Sequence, residues 1–493
     1  MHLLSARPGG HVDDDGRGVV RVAQKPGEIV VLSAADTTLA LLADAVDALP
    51  ADHPGVRLAN LMWLRQPASV DLYVDDVLRH ARVVVIDHLG SPGDWDYLVE
   101  RAVSVARAQG QWLALFSGDF GEDRQLLVRS TAPVDDCRLL WRCLRDGGPE
   151  HARRFFALIG HAAFGRGVRP LTPEPLPAAL PYTPPDATPW PTPLADAPVT
   201  LLVFYRAHLQ SGNTKAFDAM LAALAHAGLR PMALAVDSLK NPASLALLQK
   251  TVASQSVAVV LNATGFAISA LATPGAGDDE TPVFDAHTGD ALVLQLITAG
   301  CGHEQWQADP HGLTPRDLAM QVVLPEVDGR IATRAISFKG VAARCERAQI
   351  DVVRYQPEPR RMAFVAELAR RWCALRAKPN AGKRLALILA NYPNDDARLA
   401  NGVGLDTPAS TVRILYALRA AGYLVHDLPP DGDALIAALA KGVTNDLDGN
   451  DDRPAFQSLA LADYMAAFAR LPQESQAAVN ALWGPPERDP MMR

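Results

Sequence analysis

The chain contains 493 residues, which is too long for one hydrophobic core, so we expect about three domains. Its composition, 49% hydrophobic and 21% charged, is typical of a soluble globular protein. The formal net charge is -8 and no run of lysine and arginine stands out, which argues against nucleic acid as a partner.

The five cysteines are scattered and none is spaced as CxxC, which predicts free thiols in a reducing compartment. No stretch approaches the ~20 uninterrupted apolar residues of a membrane-spanning helix. Residues 1–24 also lack the apolar region of a signal peptide. The sequence therefore predicts a cytoplasmic protein with no membrane partner.

Residues 1–169 alternate between apolar runs of strand length and amphipathic runs of helix length. The predicted strands are 28–33, 57–64, 83–87 and 112–116. The predicted helices are 38–49, 70–80, 95–108, 137–145 and 153–164. Alternation of this kind predicts a parallel sheet with crossover helices, so these residues are predicted to form an N-terminal α/β domain.

Residues 170–198 include eleven prolines. Proline fixes the backbone angle φ and lacks a backbone donor, so the segment is not expected to join a helix or a central strand. We predict a linker that lies extended over the surface. The alternative is a ligand for SH3-like domains.

Strands and helices alternate again after the linker. The predicted strands are 200–205, 231–236 and 257–261, and the predicted helices are 214–227 and 243–254. These elements predict a second α/β domain over residues 199–340.

Residues 341–493 are predicted to form a third α/β module. Its predicted strands are 385–389 and 423–426, and its predicted helices are 362–375, 409–421 and 433–440. No obvious closing element follows, so the module is expected to be incomplete at its C-terminus. The predicted fold class is α/β, with several doubly wound parallel-sheet modules in series and additional helices.

The first candidate site follows the predicted strand 200–205. Ligands gather at the carboxyl ends of strands in open α/β sheets, so His208, Ser211, Asn213 and Lys215 could face a cleft. The alternative is that Ser211 and Asn213 only shape and cap the turn.

The second candidate site is the polar, glycine-rich loop 391–407, which is too long for an ordinary connection. Residues 402–407 resemble a dinucleotide fingerprint only superficially, because the glycines are too far from the strand. Thr407 before Pro408 predicts a helix N-cap with proline at the first helical position. Asn401, Asp406 and Thr407 could then hold a carboxylate or phosphate, or could serve capping alone.

Glu326, Asp328 and Arg330 crowd one predicted turn. Paired carboxylates can transfer protons or bind a metal, but they also occur in solvated or salt-bridged turns. The histidines at 287, 303 and 311 and Cys301 lack the paired spacing of a zinc site, so no metal site is predicted. The motifs GxxxxGK[ST], GxSxG and HExxH do not occur in the sequence.

Three long segments carry a resemblance to a known family: FYRAHLQSGNTKAFDAM (204–220), DLAMQVVLPEVDGRIATRAISFK (317–339) and KPNAGKRLALILANYPNDDARLANGVGLDTPAS (378–410). Together with MHLLSARPGG and EIVVLSAADT near the start, they resemble the large subunits of aerobic cobaltochelatases, the CobN type. The segment LPEVDGRIATRAISFK is more similar to this cobalt branch than to the related magnesium-chelatase H subunits. The chain departs from the family at Ala397, where glycine is usual, and at Gly382, where an acidic residue is common.

The resemblance implies a metal chelatase that inserts Co2+ into hydrogenobyrinic acid a,c-diamide in aerobic cobalamin synthesis. It implies that ATP is hydrolysed by an AAA+ ATPase subunit, assisted by a co-chaperone-like chelatase subunit, which agrees with the missing P-loop. Family members are more than twice as long, so the chain is expected to be an N-terminal portion that is inactive alone. The alternatives are a porphyrin-binding subunit of the magnesium-chelatase H type and a non-catalytic tetrapyrrole-binding or assembly module.

Overall fold

The computed structural model describes residues 18–88, 95–118, 121–184, 191, 193–268, 288–390, 398–444, 450–489 and 492. The chain divides into two compact units, Met1–Cys373 and Ala374–Arg493. Within the described ranges, no helix combines the length and the apolar character needed to cross a membrane. The α/β fold class predicted from the sequence is confirmed.

The first unit begins with a four-stranded parallel sheet. Its strands are β1 (Ile29–Ser33), β2 (Val56–Asn60), β3 (Val83–His88) and β4 (Trp112–Ser117), in the order β2-β1-β3-β4. Val31 in β1 is paired with Leu58 on one side and Val85 on the other. Every residue of β1 is buried, which explains its continuous apolar run, since helices cover both faces of such a sheet.

Six helices accompany this sheet: α1 (Asp36–Asp47), α2 (Pro67–Asp76), α3 (Asp96–Gln109), α4 (Arg124–Arg129), α5 (Val134–Asp146) and α6 (Pro149–Phe164). Apolar side chains of α1, α5 and α6 form the core on one face of the sheet. Those of α2 and α3 form the core on the other face. This arrangement is the doubly wound module that the alternating sequence predicts.

A second sheet in the same unit has seven strands: β5 (Ala179–Tyr182), β6 (Val199–Tyr205), β7 (Arg230–Val236), β8 (Val259–Asn262), β9 (Leu292–Ala299), β10 (Ile331–Cys345) and β11 (Ile350–Pro357). Their order is β11-β10-β9-β8-β6-β7-β5. The five inner strands are parallel, whereas β5 and β11 run antiparallel to their neighbours. Residue 340, the predicted end of the second domain, lies within β10.

Helices again cover both faces of the second sheet: α7 (Arg206–Gln210), α8 (Lys215–His226), α9 (Pro242–Gln255), His303–Ala308, Pro315–Leu318, Leu324–Val327 and Pro359–Ala377. The helices α8 and Pro359–Ala377 pack on one face, and α9 packs on the other. Single-turn 3-10 helices occur in both units: Leu61–Leu64, Leu78–His80, Asn380–Gly382, Asn450–Asp452 and Pro486–Arg488.

The proline-rich segment 170–198 contributes strand β5 to the edge of this sheet. Pro181 is tolerated there, since a proline at a sheet edge removes no donor that a central strand would need. Arg206 donates hydrogen bonds to the carbonyl oxygens of Leu176 and Pro177. Part of the segment is therefore docked on the second sheet, in addition to connecting the two sheets.

Thermolysin, which cleaves beside large apolar residues, is expected to cut the chain first between residues 170 and 198. Leu171 and Leu194 are exposed, and proline-rich backbone donates few protecting hydrogen bonds. Strand β5 should stay intact because it is paired with β7. Mass spectrometry of the early products would locate the cuts, and a first cut within residues 199–339 would contradict the expectation.

The described part of the second unit is helical, with helices Thr407–Ala420, Gly432–Leu439, Leu461–Phe468 and Gln473–Trp483. The predicted strands 385–389 and 423–426 are wrong: both stretches lack regular secondary structure. A strand requires a neighbour for its backbone hydrogen bonds, and the described residues of this unit supply none. Of the helices predicted for the third module, 409–421 and 433–440 correspond to helices of this unit, whereas 362–375 corresponds to Pro359–Ala377, which packs on the second sheet.

Candidate functional site

Five buried polar residues meet where the carboxyl end of the first sheet faces the second sheet. Asp36 follows β1, Asn60 ends β2, His208 lies in α7, Lys339 in β10 and Tyr355 in β11. We refer to these five residues as the edge cluster. The Asp36 carboxylate accepts hydrogen bonds from Lys339 Nζ at 3.1 Å and from Asn60 Nδ2 at 2.9 Å. Such carboxyl ends are where open α/β sheets hold their ligands.

The imidazole of His208 lies between two aromatic rings. Its centroid is 4.8 Å from that of Phe217 and 5.4 Å from that of Tyr355. Its Nδ1 atom is buried and has no hydrogen-bond partner among the described residues. Burial, and then the positive charge of Lys339, lower the pKa of His208 to about 4. The ring is therefore neutral at pH 7.

A second buried ion pair, between Asp87 and Arg145, lies at the carboxyl end of the first sheet. Arg145 Nη2 lies 2.8 Å from Asp87 Oδ1, and Ser33 Oγ donates to Asp87 Oδ2 at 2.8 Å. Both charged side chains are almost fully buried. Among the described residues, side chains of the same chain thus pair with one another at the carboxyl ends of β1 and β3.

Of the other residues predicted after β6, two are buried and one is exposed. Ser211 donates its hydroxyl to the carbonyl oxygen of His208 at 3.2 Å, and Asn213 Oδ1 accepts from the amide of Tyr355 at 3.2 Å. Both are buried and shape the turn beside the edge cluster. Lys215 is exposed at the start of α8, so its ammonium can reach a ligand in solvent.

Asp328 and Arg330 form a salt bridge of 2.6 Å whose two side chains are completely buried. Asp328 Oδ2 also accepts from the amide of Ile268 at 2.8 Å, and Arg330 Nη1 lies 3.4 Å from Gln295 Oε1. Glu326 is exposed and does not join them. The sequence left two alternatives for Asp328, a role in proton transfer or metal binding and a role in a salt-bridged turn, and the structure shows a salt bridge. Through its hydrogen bond with the amide of Ile268, Asp328 also holds the loop after β8 in place.

A continuous helical stretch covers the end of β9 and contains the π-helical turn Ala319–Val323. Pro325 follows, and proline cannot donate the regular helical hydrogen bond. The carbonyl of Met320 instead accepts from the amide of Phe266, whose φ of 64° is unusual for a bulky residue. Backbone strain of this kind is concentrated at functional loops, which supports a functional role for the carboxyl end of β9.

Gln321 and Asp317 accept hydrogen bonds from backbone amides at the carboxyl end of β9. The sequence analysis did not identify these two residues. Gln321 Oε1 accepts from the amide of Thr298 at 2.7 Å, and its Nε2 donates to Asp317 Oδ1 at 3.1 Å. Asp317 Oδ2 accepts from the amide of Gly300 at 2.9 Å. Asp317 and Gln321 are four residues apart, which places both on one face of a helix, and this spacing could have predicted their contact from the sequence.

A surface groove of about 560 Å³ lies beside β9 and β10, and sequence reasoning missed it as well. The guanidinium of Arg361 lies 4.6 Å from the ring centre of Trp306, and that of Arg334 lies 3.4 Å from the ring centre of Phe364. Neither arginine forms a salt bridge with another described residue. Burial, and then the charge of Arg334, lower the pKa of Arg361, with Glu358 opposing. Asp309 also lines the groove, and Arg361 Nε donates to the carbonyl oxygen of Ala335 at 2.6 Å, so it is the Nη groups of Arg361 that can donate to a carboxylate there.

In the second unit, Asp406 is the N-cap of helix Thr407–Ala420, and its Oδ1 accepts from the amide of Ala409 at 3.0 Å. The prediction that Thr407 is the cap is wrong, because Asp406 supplies the carboxylate one residue earlier. Asn401 is exposed. A Cβ on Gly402 would lie 2.7 Å from Thr407 Oγ1, which explains the glycine. Residues 391–397 lie outside the described residues.

Replacing Asp406 with alanine is expected to lower the stability of helix Thr407–Ala420 by about 1 kcal/mol, because the amide of Ala409 loses its acceptor. Asp406→Asn retains a side-chain oxygen at the cap and is the matched control. Hydrogen exchange of the first-turn amides would measure the change. Equal exchange in the two variants would contradict the capping role.

No group of three or more metal-ligating side chains occurs among the residues that the structure describes. The polar groups present suit hydrogen bonding to carboxylates and amides.

Comparisons with known proteins extend these observations. A sequence model of the family described as CobN/Magnesium Chelatase matches residues 141–493. The aerobic cobaltochelatase subunit CobN of Pseudomonas aeruginosa is 47% identical, over 100% of this chain and 39% of its own length. The chloroplastic magnesium-chelatase subunit ChlH of rice is 26% identical over 49% of this chain and 17% of its own length.

A solved structure is similar too, the catalytic subunit of cobaltochelatase from Mycobacterium tuberculosis. It matches with a TM-score of 0.62 and 31% identity, over 93% of this chain and 36% of that one. The chain thus spans about two fifths of the length of its CobN relatives. The resemblance stated from the sequence motifs is confirmed, and the chain belongs to the CobN/Magnesium Chelatase family.

Proposed function

We propose that this chain acts in the large subunit of an ATP-dependent aerobic cobaltochelatase, which binds hydrogenobyrinic acid a,c-diamide and inserts Co2+. The observation that carries the proposal is its 47% identity, along its whole length, to a protein described as an aerobic cobaltochelatase subunit. Identity to the rice magnesium-chelatase subunit is lower and covers half of the chain.

Chelation requires that the tetrapyrrole is held still, that its pyrrolic protons are removed and that Co2+ loses bound water. The charged and amide groups around a corrin ring suit arginine and lysine donors. In the first unit, Arg361 at the groove and the exposed Lys215 are the side chains we propose to contact the substrate. In the second unit, the exposed Asn401 is a separate candidate.

The remaining candidate residues would act indirectly. His208 is buried and neutral at pH 7, so we propose that it positions α7 and does not exchange protons with bulk solvent. Ser211 and Asn213 hold the same turn, and Asp406 with Thr407 begins the helix after the second loop.

ATP would be hydrolysed by a separate AAA+ subunit, together with a co-chaperone-like chelatase subunit. The sequence lacks the GxxxxGK[ST] motif that cradles nucleotide phosphates in a P-loop. This absence supports a division of labour in which the present chain contributes to macrocycle binding.

The chain is expected to bind the a,c-diamide more tightly than protoporphyrin, and Arg361→Met is expected to weaken that binding about tenfold or more, because a charge-assisted contact is lost. Quenching of the chain's tryptophan fluorescence on titration would measure both affinities. Arg370→Met, which removes an exposed arginine paired with Glu367, is the matched control. Even with ATP and the two partner subunits, no cobalt insertion by this chain alone is expected.

Tighter binding of protoporphyrin would favour the second candidate, a magnesium-chelatase H-like subunit, for which the similarity to the rice protein is the supporting observation. Binding of the a,c-diamide without cobalt insertion, when the remainder of the large subunit, the partner subunits and ATP are all supplied, would favour a non-catalytic tetrapyrrole-binding module. Cobalt insertion by the isolated chain would contradict the division of labour.

A further inference from the structure

The groove beside β9 and β10 is lined by two side chains of opposite charge that do not pair with each other. Arg361 is one of them, and Asp309, whose side chain is 45% exposed, is the other. Among the salt bridges of the described residues, Asp309 is paired with His311 and not with Arg361. Like charges that face each other across an interface repel, so a ligand bearing only carboxylates would fit this groove poorly.

The carboxylate of Asp309 is held in place by one of its two oxygens. Asp309 Oδ1 accepts from the amide of His311 at 2.8 Å, and His311 Nδ1 lies 3.2 Å from the same oxygen. The amide of Gly312 donates to the Asp309 carbonyl oxygen at 2.9 Å, which closes the turn 309–312. Asp309 Oδ2 has no hydrogen-bond partner among the described residues. It is therefore an oriented acceptor, which loses little conformational entropy when a ligand binds.

Trp306 connects the turn 309–312 with Arg361. The guanidinium of Arg361 lies 4.6 Å from the ring centre of Trp306. On the other side, a Cβ on Gly312 would lie 3.2 Å from Trp306 Nε1, and the φ of this glycine is 72°. Glycine thus permits both the left-handed turn and its close approach to the indole. The indole contacts the arginine and the turn that carries Asp309, which places the two charges at neighbouring positions of one groove.

The two charges suit two different substituents of one ligand. A carboxamide has N–H donors, whereas a carboxylate only accepts hydrogen bonds. Asp309 can therefore accept from a carboxamide but repels a carboxylate, and the Nη groups of Arg361 donate best to a carboxylate. The a,c-diamide proposed above as the substrate carries both kinds of substituent around its ring.

We propose that Asp309 is a specificity-determining residue that accepts a hydrogen bond from a side-chain carboxamide of the tetrapyrrole, while Arg361 binds a neighbouring carboxylate. The groove thereby favours the a,c-diamide over the parent hydrogenobyrinic acid, in which the same positions carry carboxylates. This inference rests on the proposed function, because it requires that the macrocycle occupies the groove.

The test is titration of the full 493-residue chain with the a,c-diamide and with hydrogenobyrinic acid, followed by tryptophan fluorescence. Wild type is expected to bind the diamide at least about tenfold more tightly, because the parent acid replaces a charge-assisted hydrogen bond with repulsion. Asp309→Asn should reduce this preference to about threefold or less, because the asparagine amide donates to a carboxylate. The variant should also bind the parent acid more tightly than wild type does, a gain that unfolding cannot produce.

Two control variants separate specificity from general binding. Asp52→Asn alters an exposed aspartate of the first unit that does not line the groove, and it should keep the wild-type preference. Arg361→Met should weaken both macrocycles alike, because both supply the carboxylate that this arginine binds.

A preference that Asp309→Asn leaves unchanged would overturn the inference and leave the proposed function intact. Equal binding of the two macrocycles by wild type would have the same meaning. Failure of wild type to bind either macrocycle would overturn the proposed function and this inference together.

Discussion

Replacing Arg330 with methionine is expected to lower the free energy of unfolding of the first unit by about 3–5 kcal/mol. Methionine keeps a long apolar side chain but removes the cation that lies 2.6 Å from the carboxylate of Asp328. Both side chains are completely buried, so water cannot replace the lost partner. The loop after β8 should loosen as well, because Asp328 also accepts the amide hydrogen of Ile268.

Chemical denaturation followed by tryptophan fluorescence would measure this loss. The matched control is Arg370→Met, since Arg370 pairs with Glu367 at the surface, where such a pair contributes only about 0–1 kcal/mol. The double variant Asp328→Asn, Arg330→Met should recover part of the stability, because the buried negative charge that lost its arginine partner is also removed. A loss below about 1 kcal/mol for Arg330→Met would contradict a dominant role for the buried pair.

The four parallel strands of the first sheet, and β6, β7 and β8 of the second, were predicted from sequence because each is a short apolar run, whereas β9 and β10 of the second sheet were not predicted. Residues 29–33 and 83–88 read as apolar runs, and each is followed by an amphipathic helix. The physical signal is local, since burial on both faces imposes an unbroken apolar run on five or six residues. The predicted bounds accordingly lie within a few residues of the observed ones.

The edge strand β5 and the long inner strand β10 could not be predicted in this way. Strand β5 lies within a proline-rich segment and is set by its pairing with β7, about fifty residues away. The long strand β10 includes a register irregularity between Val341 and Ala343, which breaks any alternation. The predicted strand 385–389 failed for the opposite reason, because its local pattern is strong but it has no pairing partner among the described residues.

The candidate site was predictable only in part, because its contacts join residues that are distant in sequence. The motif around His208 correctly indicated the carboxyl end of β6, but a motif does not reveal which side chains turn inward. The Asp36–Lys339 salt bridge spans about 300 residues, and no spacing rule connects its two members. Arg361 and Trp306 meet in the groove for the same reason, through the packing of a helix that begins at Pro359.

The stability of the first unit is expected to fall as the pH is lowered from about 6.5 to about 4, with His208 contributing about 3 kcal/mol of the loss. Burial, and then the charge of Lys339, lower the pKa of His208 to about 4 in the folded chain. Its pKa in the unfolded chain is about 6.5. Between these values the unfolded state binds the extra proton, so acidification favours unfolding.

His208→Phe is expected to remove this contribution, because phenylalanine keeps an aromatic ring between Phe217 and Tyr355 but cannot take up a proton. The free energy of unfolding should therefore differ between wild type and variant by an amount that changes from pH 7 to pH 4. His311→Phe is the control: its side chain is 89% exposed, so it is hydrated in the folded and unfolded states alike. Parallel pH profiles for wild type and His208→Phe would mean that the imidazole accepts its proton in the folded chain as readily as in the unfolded one, and that the edge cluster is accessible to solvent.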